Sequence, residues 1–387
     1  MAERVYLDHA SAAPWHPAAL AAFEQSARAL PGDPSRRHAA GRAARDLLES
    51  ARAAIAAELG GAPERLAFTS GGTEAIFLAV CGAMAANRTR SQRVVSCAVE
   101  HSTVLAAAEA SGAQHEVVGV DPLGRVDLDA VEKALGAGAA LLNVQHANHE
   151  VGALQPLGEI ARLCRRHDVL LHVDACQTVG RLPIRLDQID ADFISASGAK
   201  FGGGRGIGAL AWSPRARFRP LFSGDEREHR RRSGLENLPG AAAMAEALLQ
   251  LAPARPGGPA AAEAARCDAL RRRLRRQIAD SIADVEIHGP EDGSAPHIVA
   301  LSALYVDGET LVGELDRMGF EVHSGSSCAT TSGEPSHVLV AMGALTHGHV
   351  RASLGPEVLE RHIDEFAAAL SEAVSRLRAR LGPRLDL

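Results

Sequence analysis

Residues 170–180 read LLHVDACQTVG, and residues 193–208 read FISASGAKFGGGRGIG. The first is a largely apolar run that reaches Asp174. The second is a similar run that ends at Lys200 and passes into a glycine-rich turn. Continuous apolar runs mark strands covered on both faces, as in a parallel sheet between helices. An aspartate and a lysine at successive strand ends then face one edge of that sheet, where open α/β sheets bind their ligands.

Working outward, strand-type segments at 66–69, 93–98, 141–145, 169–174, 193–196 and 208–212 alternate with helical patterns at 43–59, 73–86, 103–111, 128–135 and 157–167. This alternation predicts an α/β fold. A Pro/Gly/Ala stretch at 253–260 marks a boundary zone. Beyond it, a helix at 261–282, a strand near 297–301, a helix at 310–318 and a closing helix at 356–381 predict a smaller α+β domain. The expected division is a large domain over 15–255, with 1–14 and 256–387 forming the small one.

The bulk properties exclude several classes. In 387 residues, 46% apolar and 23% charged residues are the proportions of an ordinary globular protein. A formal net charge of -6 argues against broad binding to a phosphate backbone. The stretch RRRLRR at 271–276 could form a nucleic-acid patch, but it fits the solvated face of an amphipathic helix better. No apolar run is long enough to span a bilayer, and the first residues lack the layout of a secretory signal. The six cysteines are scattered without a C-x-x-C pair, which predicts reduced thiols in the cytoplasm and no metal site.

Basic residues are almost all arginine, with lysine only at 133 and 200. An amine can lose its proton and attack a carbonyl, whereas a guanidinium cannot, so a Schiff base is one place where arginine cannot substitute. Lys133 lies in a helical surface pattern. Lys200 paired with Asp174 suits pyridoxal 5′-phosphate, which needs an amine for its aldehyde and a carboxylate to keep its ring nitrogen protonated. Singly, Asp174 reads equally well as a helix cap and Lys200 as an exposed loop lysine.

Other candidates are weaker alone. FTSGGTEA (68–75) puts a glycine turn between a strand and a helix, where free N–H groups suit a phosphate. His101, at the next strand's end, could lie against an aromatic cofactor or act as an acid or base. Cys328 sits in SGSSCATTSGEPSHV (324–338), a small polar loop unlike the apolar setting of a structural cysteine, and is a candidate nucleophile. Arg351, in HVRASLG (349–355), could clamp a carboxylate with two hydrogen bonds.

With these residues in hand, the chain resembles the cysteine desulfurases, in the class V aminotransferase branch of fold-type I pyridoxal-phosphate enzymes. The likeness is nearly end to end. It runs through YLDHASAAP (6–14), FTSGGTEA, VEHSTVL (99–105), NHEVG (148–152), LHVDACQTVGRLP (171–183), SASGAKFGGGRGIGAL (195–210), RRRSGLENLPG (230–240), the Cys328 segment and HVRASLG. The spacing from Cys328 to Glu334 and Pro335 is similar to that of the subgroup with the longer cysteine loop, which serves scaffold or carrier proteins.

The resemblance implies that Lys200 carries the cofactor, Asp174 pairs with its ring nitrogen, Gln177 contacts its 3′-oxygen and His101 stacks on its ring. It also implies that Gly72, Thr73 and Ser197 hold the phosphate and that Arg351 binds the carboxylate of L-cysteine. Cys328 would become the persulfide that is passed to an acceptor protein or carrier. A homodimer with active sites near the subunit interface is implied as well.

Some positions depart from the family pattern. His149 stands where a second asparagine would reach the 3′-oxygen, and Ala199 replaces the histidine before the lysine. Leu235 stands where a partner-subunit threonine would reach the phosphate, Asp33 replaces an asparagine, and Ile76 and Phe77 replace a polar pair. A leucine donates no hydrogen bond, which leaves Ser233 as an alternative donor. These departures leave the core chemistry possible and open the reading of a sulphur donor dedicated to one particular pathway. Two further alternatives stand beside it. One is a carbon–sulphur or selenocysteine lyase, or a transaminase, that does not use Cys328. The other is a non-catalytic scaffold that kept the fold.

Overall fold

The computed structural model of the chain describes residues 4–325 and 335–380. In chain order the strands are β1 (Val5–Tyr6), β2 (Leu66–Thr69), β3 (Arg93–Cys97), β4 (Gln114–Val118), β5 (Leu141–Gln145), β6 (Leu170–Asp174), β7 (Phe193–Ser197), β8 (Gly208–Trp212), β9 (Val285–His288), β10 (Ile298–Ala303), β11 (Phe320–Glu321) and β12 (His349–Ser353). Seven of them form one sheet in the order β2-β8-β7-β6-β5-β3-β4. β8 runs antiparallel to both neighbours, and the other pairs in that sheet are parallel. The fold is therefore α/β with a mainly parallel sheet, as the alternating pattern predicts.

Every residue of β5, β6, β7 and β8 is buried, which accounts for their unbroken apolar character. A polar row crosses this interior. His172 lies between Asn143 and Ser195, and the Asn143 amide continues to Ser96 Oγ at 3.1 Å. Each member is hydrogen-bonded, so the row costs little and favours one strand register. Burial pushes the His172 imidazole down to about 3.

The second sheet is antiparallel, in the order β12-β10-β9, and β1 pairs in parallel with β11. Beside it lie the helices Pro259–Ser281, Gly308–Arg317 and Glu360–Arg380. They share an apolar core that includes Leu274, Ile278, Leu315, Val350, Phe366 and Leu370, and Val5 and Leu7 join it from the other end of the chain. The helices around the large sheet enclose separate cores.

The pattern missed some elements. β4 is an edge strand with mixed burial, and β12 buries an arginine and two polar residues, so neither shows an apolar period. The helices Pro17–Ala29 and Leu238–Leu251 also escaped it. The closing helix begins at Glu360, four residues later than expected.

The arginines of 271–276 do not form a free basic stripe. Arg271 and Arg272 bond Asp268, Arg273 bonds Asp364, and Arg275 donates to the carbonyl oxygens of His288 and Gly289. No helix among the described residues is long and apolar enough to cross a membrane.

Candidate active site

Parallel pairing aligns Gln145, Asp174 and Ser195 across three neighbouring strands. The carboxyl ends of β2, β3, β5, β6 and β7 therefore open on one edge, where they line a cavity of about 160 Å³. Gly72, Thr73, His101, His149, Asp174, Gln177, Ser197 and Lys200 all line it.

Lys200 ends a short turn, Gly198–Lys200, just past β7. Its Nζ donates to the carbonyl oxygens of Ala10 and Ser11, each at 2.8 Å. Burial lowers the basicity of this amine and the charge on Arg351 acts the same way, against the pull of Cys176, Asp174 and Asp8. Asp174 Oδ1 accepts from the Cys176 N–H at 3.0 Å, and Gln177 Nε2 donates to Ala10 O at 2.9 Å.

His101 caps the helix Ser102–Ala110, its Nδ1 accepting from the Thr103 N–H at 3.1 Å. Accepting there puts the imidazole proton on Nε2. Burial, and then the neighbouring His149, bring His101 down to about 4, so the ring is neutral near pH 7. The His149 ring lies 4.9 Å from it, tilted by 60°. His149 Nε2 stands 3.6 Å from Glu150 Oε1. Burial alone would raise Glu150, but His149 and the Ser336 hydroxyl, which donates to Oε2 at 2.6 Å, hold it down at about 2.

At the other end of the cavity the helix Gly72–Asn87 begins with no side chain capping it, which leaves N–H groups and the positive helix end for an anion. A Cβ on Gly72 would stand 2.6 Å from Cys176 Sγ and 3.3 Å from Ser197 Cβ. A Cβ on Gly208 would lie 2.5 Å from the Gly71 carbonyl carbon. These glycines let the helix terminus sit directly on the strand ends.

Arg351 does not line this cavity. It lies on β12, 4% exposed, where Nη1 donates to His149 O and Nη2 to Asp8 Oδ1 and Ser11 Oγ, all at 2.8 Å. Cys328 lies outside the described residues. Among the departures, Ile76 puts an apolar group in the cavity wall and Leu235 is 64% exposed. The Ser233 hydroxyl donates to Phe222 O, and Asp33 pairs with Arg227.

Sequence reasoning missed Cys176, Thr103 and Gln145 in the wall, and Glu100 behind it. Glu100 is fully buried, with Oε1 accepting from the Gln145 N–H and Oε2 unpartnered. Burial, with the charge on Asp174, pushes its carboxyl well above the usual range. Cys176 could have been found from its place two residues after a charged strand end. The residues present fit pyridoxal phosphate: a half-buried amine, a carboxylate beside it, a neutral imidazole and an uncapped helix terminus share one cavity.

The Aminotransferase class-V family matches residues 5–366, and the chain belongs to that family. It is 34% identical over 384 residues to a protein of Dictyoglomus turgidum named cysteine desulfurase IscS, covering 98% of this chain and 96% of that one. A cysteine desulfurase of Cereibacter sphaeroides is 36% identical over 385 residues, covering 97% of each. Among solved structures, a NifS-like protein superposes with a TM-score of 0.88 at 28% identity, covering 96% of this chain and all of the other.

Proposed function

We propose that this chain is a cysteine desulfurase, converting L-cysteine and the Cys328 thiol into L-alanine and a Cys328 persulfide. The observation that carries the reading is the meeting of Lys200 and Asp174 on adjacent strand ends, next to an uncapped helix terminus, in a class V chain.

Pyridoxal phosphate, when bound, supplies an electron sink for the substrate. Lys200 would hold it covalently, Asp174 its ring nitrogen, Gln177 and His149 its 3′-oxygen side, and Gly72, Thr73 and Ser197 its phosphate. His101, neutral, would lie against the ring and present its Nε2–H. The lowered basicity of Lys200 Nζ suits a group that must both attack as a free amine and carry a proton. Arg351 would orient the substrate carboxylate from the second sheet. The Cys328 thiolate would attack the substrate sulphur, forming an S–S bond as the C–S bond breaks. The terminal sulphur would then pass to an acceptor protein or carrier.

The same reading makes the protein a cytoplasmic homodimer with a large domain over 15–255 and a small one from 1–14 and 256–387. The separate apolar core that joins Val5 and Leu7 to the C-terminal helices supports that division.

The test is mass spectrometry of the protein after incubation with L-cysteine. One added sulphur atom is expected on the Cys328 peptide, with loss of alanine formation in Cys328→Ala. Undiminished alanine formation in that variant would favour a lyase that does not use Cys328.

A further inference from the structure

A second cavity, of about 380 Å³, lies behind the lysine and shares no lining residue with the first. Small-molecule sites span roughly 300–1,000 Å³. Trp15, Phe201 and Leu251 contribute apolar wall, and His9, Arg181 and His297 contribute polar groups. His9 and His297 are 0% and 1% exposed. His9 Nδ1, His297 Nδ1 and Arg181 Nε have no hydrogen-bond partner among the described residues. The two histidine rings are packed almost without accessible surface, so of the three only Arg181 has surface to offer an occupant.

The charges narrow its chemistry. Glu263 also lines the cavity, but both its oxygens are taken by Arg266, at 2.7 and 2.8 Å. Glu357 stands 3.0 Å from His9 Nε2. Arg181 donates to Lys200 O at 2.9 Å, and among the described residues no carboxylate pairs with it within ion-pair distance. Glu263 and Glu357 lie near enough to act on its charge, but a guanidinium with no carboxylate in ion-pair contact, set against an aromatic wall, matches an anion with an apolar body.

We propose that this cavity is a second ligand site for a small monocarboxylate, its carboxylate on Arg181 and its apolar body between Trp15 and Phe201. The site abuts the catalytic one. Arg181 holds the Lys200 carbonyl, His297 Nε2 lies 3.4 Å from Gln177 Oε1, and His9 precedes Ala10, whose carbonyl accepts from both Lys200 and Gln177.

The chain has two tryptophans, so Trp212→Phe leaves Trp15 as the reporter in the cofactor-loaded protein. Titration with phenylacetate is expected to give a saturable change in Trp15 fluorescence. Phenylacetamide, of the same shape without the charge, should bind at least about tenfold more weakly, as should phenylacetate to Arg181→Met. Arg351→Met should leave the titration unchanged, which separates this site from the substrate site. Ala264→Phe, which fills the cavity from the helix Pro259–Ser281, should abolish it while the cofactor absorbance persists, and it decides the matter if Arg181→Met fails to fold. No saturable signal, equal binding of acid and amide, or loss in Arg351→Met but not in Arg181→Met would overturn the proposal.

Discussion

The two halves of the candidate site are built by different means. On the cofactor side, Asp174, Ser197, Lys200 and His101 stand at or just beyond the ends of strands in one sheet, so register alone brings them together. On the substrate side, Arg351 belongs to the other sheet and is held by Asp8 and Ser11, more than 300 residues away in sequence. The first half is a property of strand order, and the second exists only where the N-terminal segment meets β12. The seam between them is short, because the Ala10 and Ser11 carbonyls that receive Lys200 flank the Ser11 hydroxyl that receives Arg351.

If the halves are separable, variants should fail in different ways. Lys200→Ala should lose covalently held cofactor, and alanine formation should fall by roughly 10²–10⁴-fold. Visible absorbance after desalting and alanine release measure the two effects. Arg351→Met should instead raise KM for L-cysteine about 30-fold, the equivalent of about 2 kcal/mol for a lost charge-assisted hydrogen bond, while the cofactor absorbance stays. Cofactor loss in that variant would break the distinction.

A smaller effect concerns stability on the cofactor side. His172 falls from the usual histidine value to about 3 through burial. Its folded form thus binds a proton less readily than the unfolded chain. Its contribution to stability is complete above about pH 6.5 and is lost as pH falls toward 3, by about 2 kcal/mol at pH 5. Urea midpoints at pH 7 and pH 5 should converge in His172→Gln relative to the unaltered protein. An equal drop in both proteins would assign the acid sensitivity elsewhere.

The smallest effect is expected at Cys176. Burial, with the charge on Asp174, pushes its thiol well above the usual range, and a thiol that stays protonated is a poor nucleophile. Cys176→Ala should change turnover by less than about 3-fold in the alanine assay. A large loss would give the cofactor side a sulphur role assigned here to Cys328.

Much of the cofactor half was legible because strand and helix signals are local. The apolar run into Asp174, the scarcity of lysine and the glycine turn before a helix each depend on neighbours in sequence. β12 carries no apolar signature, since its buried face includes Arg351 and Ser353. Arg351 was therefore visible as a motif but not as part of a strand. His149 was visible as a departure, yet its placement between His101 and Glu150 depends on the loop after β5 folding back over the end of β3.

By itself the sequence determined the α/β order, the lysine–aspartate pair and the glycines that admit a helix terminus, because these follow from hydrophobic period and backbone sterics over a few residues. Only the tertiary structure decided that Arg351 is clamped by Asp8 and Ser11, that Arg181, in the wall of a second cavity, bonds the Lys200 carbonyl, and that Glu100 and His172 are driven toward their neutral forms. Those outcomes depend on burial and on contacts between distant segments, which change the energy of a charge without leaving a mark in the local pattern of residues.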